Sequence, residues 1–173
     1  KGRFKLRRVS ATEGTCEIEA LGLNPAGDVK PPTPENFTVD VTTKPLITKL
    51  SPNQTDIREN ARRCIEAGSD ALAVINTMMG MAIDTSTRRA IIGNVQGGLS
   101  GPAIKPIALL KVLQLAEIAR ARKIPIIGQG GITSAHDALE FMIAGATLTG
   151  VGTALFYDPL ACKKINSGLT AHL

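Results

Sequence analysis

Aromatic residues are scarce in this sequence of 173 residues, at 3% of the chain, with no Trp and one Tyr. Proteins that bind single-stranded nucleic acid need aromatic platforms on which bases stack, so this class is disfavoured. No apolar run approaches the roughly 20 residues that a membrane-spanning helix needs, and we expect no membrane segment. The 43% hydrophobic and 20% charged residues are instead typical of one globular domain with its own core.

Cysteine is also scarce, because only Cys16, Cys64 and Cys162 occur, and they are too far apart to form a CxxC pair or a metal-ligand spacing. We therefore predict no metal site. An odd number of cysteines favours free thiols in a reducing compartment, so we expect a cytoplasmic protein. The first residue is Lys rather than Met, which is consistent with a fragment or a processed product.

Acidic residues are absent from the first eight positions, which hold five of the 20 basic residues. Acidic and basic residues balance over the rest of the chain, so the net charge of +5 belongs to the N-terminal end. This distribution favours a solvated basic strand over a patch that binds nucleic acid or a membrane surface.

The sequence changes character near residue 44. Before it, residues 3–10 and 15–23 alternate in strand fashion and could pair as a hairpin, and residues 24–35 are rich in Pro, Gly and polar residues, as in a linker. We assign residues 1–43 to an N-terminal β-rich segment and linker of unknown role.

Strand-like and helix-like segments alternate from residue 44 to residue 173. The predicted strands are 44–51, 71–76, 124–132 and 147–156, and the predicted helices are 56–68, 106–122, 135–145 and the tail from 158. Residues 77–101 are predicted to be a long polar loop. This order indicates parallel strands joined by helical crossovers.

Four such units are half of an eight-unit barrel. A half-barrel alone would expose two open sheet edges, which soluble proteins avoid. We therefore predict an α/β fold, the C-terminal half of a (β/α)8 TIM barrel, with the first half missing from this chain. An open, doubly wound sheet is the alternative.

Polar residues and glycines fall near the carboxyl end of each predicted strand, where barrel enzymes build their sites. These residues are Lys49, Asn76, Thr77, Gly130, Gly131, Gly152 and Thr153. Glycine lets a ligand approach the backbone closely, and the N–H groups of such turns favour anions, so we predict a phosphate cradle. The alternative is that these glycines only permit tight turns. The loop at residues 97–106 adds glycines and a serine before a helix, which predicts further backbone donors, a lid hinge, or both.

Five motifs occur in an order that is specific to one family. They are KLSPNQTDI (residues 49–57), INTMMGMAID (75–84), GGLSGPAIKP (97–106), IIGQGGI (126–132) and GVGTALF (150–156). They closely resemble the C-terminal half of dihydroorotate dehydrogenases, particularly the NAD-linked bacterial subfamily that works with an iron–sulfur flavoprotein subunit. The FMN domain of dihydropyrimidine dehydrogenase is the nearest competitor. The resemblance covers residues 44–159 and does not extend before residue 44.

The resemblance implies a site for FMN and for a pyrimidine substrate. It places Lys49 against the pyrimidine edge of the flavin, Ile75 and Gly101 in contact with the flavin, and Asn76 and Thr77 on the substrate. It implies that the FMN phosphate is bound by Gly130, Gly131, Gly152 and Thr153. Ser100 is a weaker candidate for contact in the same region. We expect Lys105 to be a solvated or helix-start residue rather than a phosphate ligand.

The implied activity is oxidation of dihydroorotate to orotate in pyrimidine biosynthesis. The resemblance also implies a homo-oligomer and a partner subunit that carries FAD and an iron–sulfur cluster. A dihydropyrimidine dehydrogenase-like reductase and a non-catalytic fragment or subunit are the alternatives. The family removes a substrate proton with a cysteine in a Cys-Pro-Asn context from the first barrel half, and no cysteine here matches it. We therefore interpret the three cysteines as inert thiols and expect the chain alone to be a poor catalyst.

Overall fold

The computed structural model describes residues 14–17, 38–41 and 45–172. Strand β1 (Gly14–Glu17) pairs antiparallel with β2 (Thr38–Val41), so that Gly14 lies opposite Val41. The sequence did not predict β2. The predicted strand at 3–10 and the linker at 24–35 lie outside the described residues.

From residue 47 onward the four predicted strands alternate with helices, as the sequence predicts, and short additional strands lie between the second strand and the second helix. In chain order they are β3 (Ile47–Leu50), α1 (Ile57–Glu66), β4 (Ala71–Val74), β5 (Met78–Gly80), β6 (Ile83–Asp84), β7 (Arg89–Ala90), β8 (Gly97–Leu99), α2 (Lys105–Ala121), β9 (Ile126–Gln129), α3 (Ala135–Ile143), β10 (Leu148–Gly150) and α4 (Ala161–Thr170). Two short 3₁₀ helices, Pro102–Ile104 and Thr153–Phe156, precede α2 and follow β10.

The main sheet is parallel and contains β3, β4, β9 and β10, in the order in which they occur along the chain. Helices α1, α2 and α3 pack against this sheet, and each contacts the next. Sequential strand order with a single layer of helices describes an arc of a (β/α)8 barrel. A doubly wound sheet carries helices on both faces, so that alternative is wrong for the described part of the chain.

Local sequence signals set the ends of the helices. The Asp56 side chain accepts a hydrogen bond from the backbone of Arg58 and so begins α1, and Gly68, at φ 100°, ends it. Ser134 begins α3 with a reciprocal capping box to Asp137, which confirms the predicted cap.

The core lies between the sheet and the helices. Its largest fully buried side chains are Phe141, Ile57, Leu72, Leu115, Ile126, Val74 and Val112. Gly128 allows α3 to approach β9, because a Cβ there would lie 2.6 Å from Cδ1 of Phe141. The other face of the sheet is open in the described chain, where Ile47 is 51% and Leu148 is 59% exposed.

Two predicted segments differ from the structure. The predicted loop at 77–101 contains two antiparallel pairs, β5 with β8 and β6 with β7. The predicted strand at 147–156 ends at Gly150, because the chain then turns into the 3₁₀ helix. Within the described ranges, no helix has the length and apolar character needed to cross a membrane.

Candidate functional site

A cavity of about 280 Å³ opens at the carboxyl ends of the four parallel strands. Every residue of this chain to which the family resemblance assigns a cofactor or substrate role lines it, together with Ser100. These are Lys49, Ile75, Asn76, Thr77, Gly101, Gly130, Gly131, Gly152 and Thr153. Consecutive parallel strands bring their ends to one edge, which is why residues about 100 positions apart meet here.

Lys49 enters the cavity from β3, where it lies opposite Ala73 of β4. It is exposed, and it lies on the open face of the sheet rather than the face that the helices cover. Among the described residues that line the cavity, Lys49 is the one cation. An anionic or electron-accepting group at this edge of the sheet would therefore meet its ammonium group.

The segment after β4 continues the sheet into the cavity. The buried Ile75 donates its N–H to the carbonyl of Gln129 at 3.0 Å, and Asn76 donates its N–H to the carbonyl of Leu50 at 2.9 Å. These two bonds fix the backbone on both sides, so the exposed side chain of Asn76 starts from a well-defined position.

Asn53 binds the backbone of the segment that follows Asn76, at Thr77 and Met79. Its Nδ2 donates to the carbonyl of Thr77 at 2.9 Å, and its Oδ1 accepts from the N–H of Met79 at 2.8 Å. Gly98 of β8 packs against the Thr77 side chain so closely that a Cβ at Gly98 would overlap it. Asn53 was not predicted as a site residue, although it lies within the motif KLSPNQTDI at residues 49–57.

The turn after β9 requires glycine. Gly131 has φ 77°, and a Cβ there would lie 2.8 Å from the carbonyl oxygen of Gly101. Gly130 has φ 131°, and its Cβ would lie 2.8 Å from Cβ of Ala108. Positive φ and the absent Cβ atoms together let this turn press against the start of α2.

Gly152 differs from these two glycines. Its φ is −118°, and a Cβ there would have no protein atom within 4 Å. Packing within the described chain therefore gives no reason for glycine at this cavity-lining position. Next to it, the hydroxyl of Thr153 donates to Oγ of Ser100 at 2.9 Å and joins two walls of the cavity.

Lys105 begins α2, which confirms the helix-start alternative, and its ammonium group is held by two carboxylates. Its Nζ donates to Oδ1 of Asp137 and to Oε2 of Glu140, each at 2.6 Å. These two bonds raise the pKa of Lys105. Burial alone would raise the pKa of Asp137, but hydrogen bonds from Lys105, Thr133 and Ser134 outweigh it and hold that pKa far below its usual range.

The described cysteine side chains lie away from the cavity. Cys64 is a partly buried free thiol on α1, and burial raises its pKa. Cys162 is a free and exposed thiol on α4. Neither lines the cavity, so neither is positioned to act there.

Several cavity residues were not predicted. They are Gln129, Ile132, Thr133, Gly150, Val151 and Ala154. All of them lie within or next to the quoted motifs, so proximity to the glycine turns was the signal that could have identified them. Gln129 adds a side-chain amide to the cavity. It packs on Gly150, where an added Cβ would lie 2.8 Å from its Nε2.

Comparison with known proteins assigns the family. The family model for dihydroorotate dehydrogenase matches residues 11–173, so the similarity extends before residue 44, into the segment of unknown role, contrary to the expectation from the motifs. Similar curated proteins are those of Trichlorobacter lovleyi (60% identical over 128 residues, 74% of this chain and 41% of the relative) and Geotalea uraniireducens (58% over 132 residues, 76% and 42%). The protein of Geobacter sulfurreducens is 58% identical over 134 residues, which are 78% of this chain and 43% of the relative.

All three relatives are named as the catalytic subunit of dihydroorotate dehydrogenase B (NAD(+)). The matched part of this chain spans about two fifths of their length. Because the family model covers most of the chain, this protein belongs to the dihydroorotate dehydrogenase family.

Proposed function

We propose that this chain forms part of the FMN and substrate site of an enzyme that oxidises dihydroorotate to orotate. One observation carries the proposal: the ends of β3, β4, β9 and β10 surround a single cavity, and every residue of this chain that the family resemblance assigns to FMN or substrate lines it. The similarity to relatives named as dihydroorotate dehydrogenase catalytic subunits supports the same activity.

The dimensions of the sheet suit an elongated ligand. Lys49 is on β3 at one edge of the sheet, and Gly152 follows β10 at the other edge. Three strand spacings separate them, about 14 Å for neighbours about 4.8 Å apart. A ring near Lys49 and a phosphate near Gly152 fit that span. The cavity volume is close to the lower limit of about 300 Å³ for cofactor pockets, so further barrel strands would complete the enclosure.

The donors at the β9 and β10 ends suit a phosphate. The glycine turn at Gly130 and Gly131 packs on the start of α2. At Gly152, no protein atom lies within 4 Å of the position that a Cβ would take, so this space is open to a ligand. Backbone N–H groups in such turns bind phosphate without a cation, which is consistent with the engagement of Lys105 by two carboxylates.

The chain supplies positioning and electrostatics to the reaction. Bound FMN would supply the hydride acceptor for oxidation of the substrate ring at the carbon next to the one that loses a proton. The ammonium group of Lys49 would stabilise the negative charge that accumulates at the pyrimidine edge of the ring. The amide of Asn76 and the hydroxyl of Thr77 would pair with the donors and acceptors of the substrate ring.

The proton-accepting base would come from outside the described residues, as the family pattern of a cysteine in the first barrel half implies. The names of the relatives support a partner subunit and NAD as the final acceptor. We place FAD and an iron–sulfur cluster on that partner and propose a homo-oligomeric catalytic subunit. The free thiols at Cys64 and Cys162 are consistent with a reducing compartment such as the cytoplasm.

Anaerobic titration of the intact purified protein tests the proposal. We expect a visible flavin spectrum that is bleached by dihydroorotate and not by dihydrouracil. Bleaching by dihydrouracil alone would favour a dihydropyrimidine dehydrogenase-like reductase. A protein without flavin that cannot be reconstituted with FMN would contradict the proposal.

A further inference from the structure

Three charged side chains lie next to the cavity without lining it. Lys105 at the start of α2 bridges Asp137 and Glu140 of α3, with both N–O distances at 2.6 Å. The side chain of Asp137 is only 11% exposed, whereas that of Glu140 is 35% exposed. None of the three lines the cavity, so any effect on a ligand passes through the residues between.

Asp137 fixes the segment that follows the glycine turn. Its Oδ2 accepts from the N–H and hydroxyl of Thr133, both at 2.9 Å. The same oxygen accepts from the N–H of Ser134 at 3.0 Å and from its hydroxyl at 2.9 Å. The backbone leaving Gly131 is therefore tied to a charged, largely buried group.

Lys105 connects that segment to the opposite wall. It comes four residues after Gly101, and Gly131 packs directly on both residues. A Cβ at Gly131 would lie 2.8 Å from the carbonyl oxygen of Gly101 and 2.9 Å from Cβ of Lys105. The ion pairs thus hold together two walls of the cavity that are about 30 positions apart in the sequence.

We propose that Lys105, Asp137 and Glu140 form a latch that holds the glycine turn at Gly130 and Gly131 ready for the phosphate of FMN. They are positioning residues, because they act through the turn rather than on the ligand. Glycines are the most mobile backbone positions, so a turn ordered in advance avoids the entropy cost of ordering it on binding. This inference rests on the proposed FMN site.

Comparison of FMN with riboflavin, which lacks the phosphate, tests the latch in the intact protein stripped of flavin. Quenching of flavin fluorescence gives both dissociation constants. We expect Lys105→Met to weaken FMN binding about tenfold and to leave riboflavin binding nearly unchanged, the size expected for loss of a charge-assisted hydrogen bond. Lys105→Arg keeps the charge and should retain most of the preference for FMN.

Two further variants make the test decisive. Lys164→Met removes an ion pair of 2.7 Å to Asp158 on the surface and should change neither constant. If Lys105→Met does not fold, Glu140→Gln is milder, because Glu140 is more exposed, and it should reduce the FMN preference in the same direction.

The outcomes separate the latch from the proposed function. An unchanged FMN preference in Lys105→Met, or equal losses for FMN and riboflavin, would overturn the latch and leave the FMN site standing. A wild-type protein that binds no FMN would overturn the proposed function and the latch with it.

Discussion

The side chain of Asn53 is bound to the main chain at Thr77, with its Nδ2 2.9 Å from the carbonyl oxygen. Its Oδ1 accepts from the N–H of Met79 at 2.8 Å, so one amide bridges the backbone on both sides of Met78. The loop between β3 and α1, which carries Asn53, therefore positions the backbone of the proposed substrate-binding residue Thr77.

Asn53→Ala should weaken substrate binding without loss of flavin. Water can replace both exposed hydrogen bonds, so we expect little change in the free energy of unfolding but a dissociation constant for orotate raised about tenfold. Titration of the bound flavin spectrum with orotate measures this. Asn94→Ala, in the exposed segment between β7 and β8, is the matched control. Equal orotate affinity in Asn53→Ala and wild type would show that the bridge does not position the site.

Lys49→Ala should slow reduction of the flavin or weaken its retention. Loss of the one cation among the described cavity residues removes stabilisation of developing negative charge, and removal of such a group typically costs about 10²-fold in rate. Stopped-flow reduction by dihydroorotate and the FMN content of the purified protein measure both effects. Lys163→Ala, on the exposed part of α4, should match wild type. Unchanged reduction and FMN content in Lys49→Ala would remove Lys49 from the site.

Two glycine variants separate ligand contact from backbone requirement. Gly152→Ala should leave the stability of the flavin-free protein nearly unchanged and weaken FMN binding, because a Cβ there meets no protein atom within 4 Å. Gly131→Ala should destabilise even the flavin-free protein by about 1–3 kcal/mol, because its φ is 77° and its Cβ would strike the carbonyl of Gly101. Denaturant unfolding and FMN titration of both variants provide the comparison. Destabilisation of equal size in both would contradict the distinction.

The sequence grouped the residues of the candidate cavity better than it described the local structure. Lys49, Asn76 and Gly131 were placed on one cavity because each lies at or near the carboxyl end of a strand, and parallel strands end together. The hairpins between residues 78 and 99 were missed, since strands of two or three residues are too short to show a period. The environment of Lys105 was also missed, because its partners lie 32 and 35 positions away and no sequence pattern connects them.

The Lys105–Asp137 pair should make a nearly constant contribution to stability from about pH 5 to 9. The folded-state pKa of Asp137 lies below its ordinary value of 3.8, so its stabilisation is present above that value and is lost as the pH falls toward the folded pKa. The pKa of Lys105 lies above its ordinary value of 10.5, so its stabilisation is lost only as the pH rises past that value.

Asp137→Asn should therefore lower the free energy of unfolding by roughly 2–3 kcal/mol at neutral pH, with a difference from wild type that narrows below pH 4. Denaturant unfolding across pH 3–9 measures this. Asp158→Asn, which breaks an exposed ion pair at a similar distance, should have a much smaller effect. If the difference in the free energy of unfolding between Asp137→Asn and wild type grew as the pH fell, the stabilising role of the Asp137 carboxylate would be contradicted.

Amide hydrogen exchange of the intact protein with and without FMN tests the central claim most directly. If the ends of β3, β4, β9 and β10 hold one FMN, its addition should slow exchange at residues 75–77, 100–101, 130–133 and 150–154 together. Residues 83–90, which contain the β6–β7 pair, should exchange at the same rate with and without FMN. Bound FMN that protects other regions and leaves these four segments unchanged would contradict the claim that they form its site.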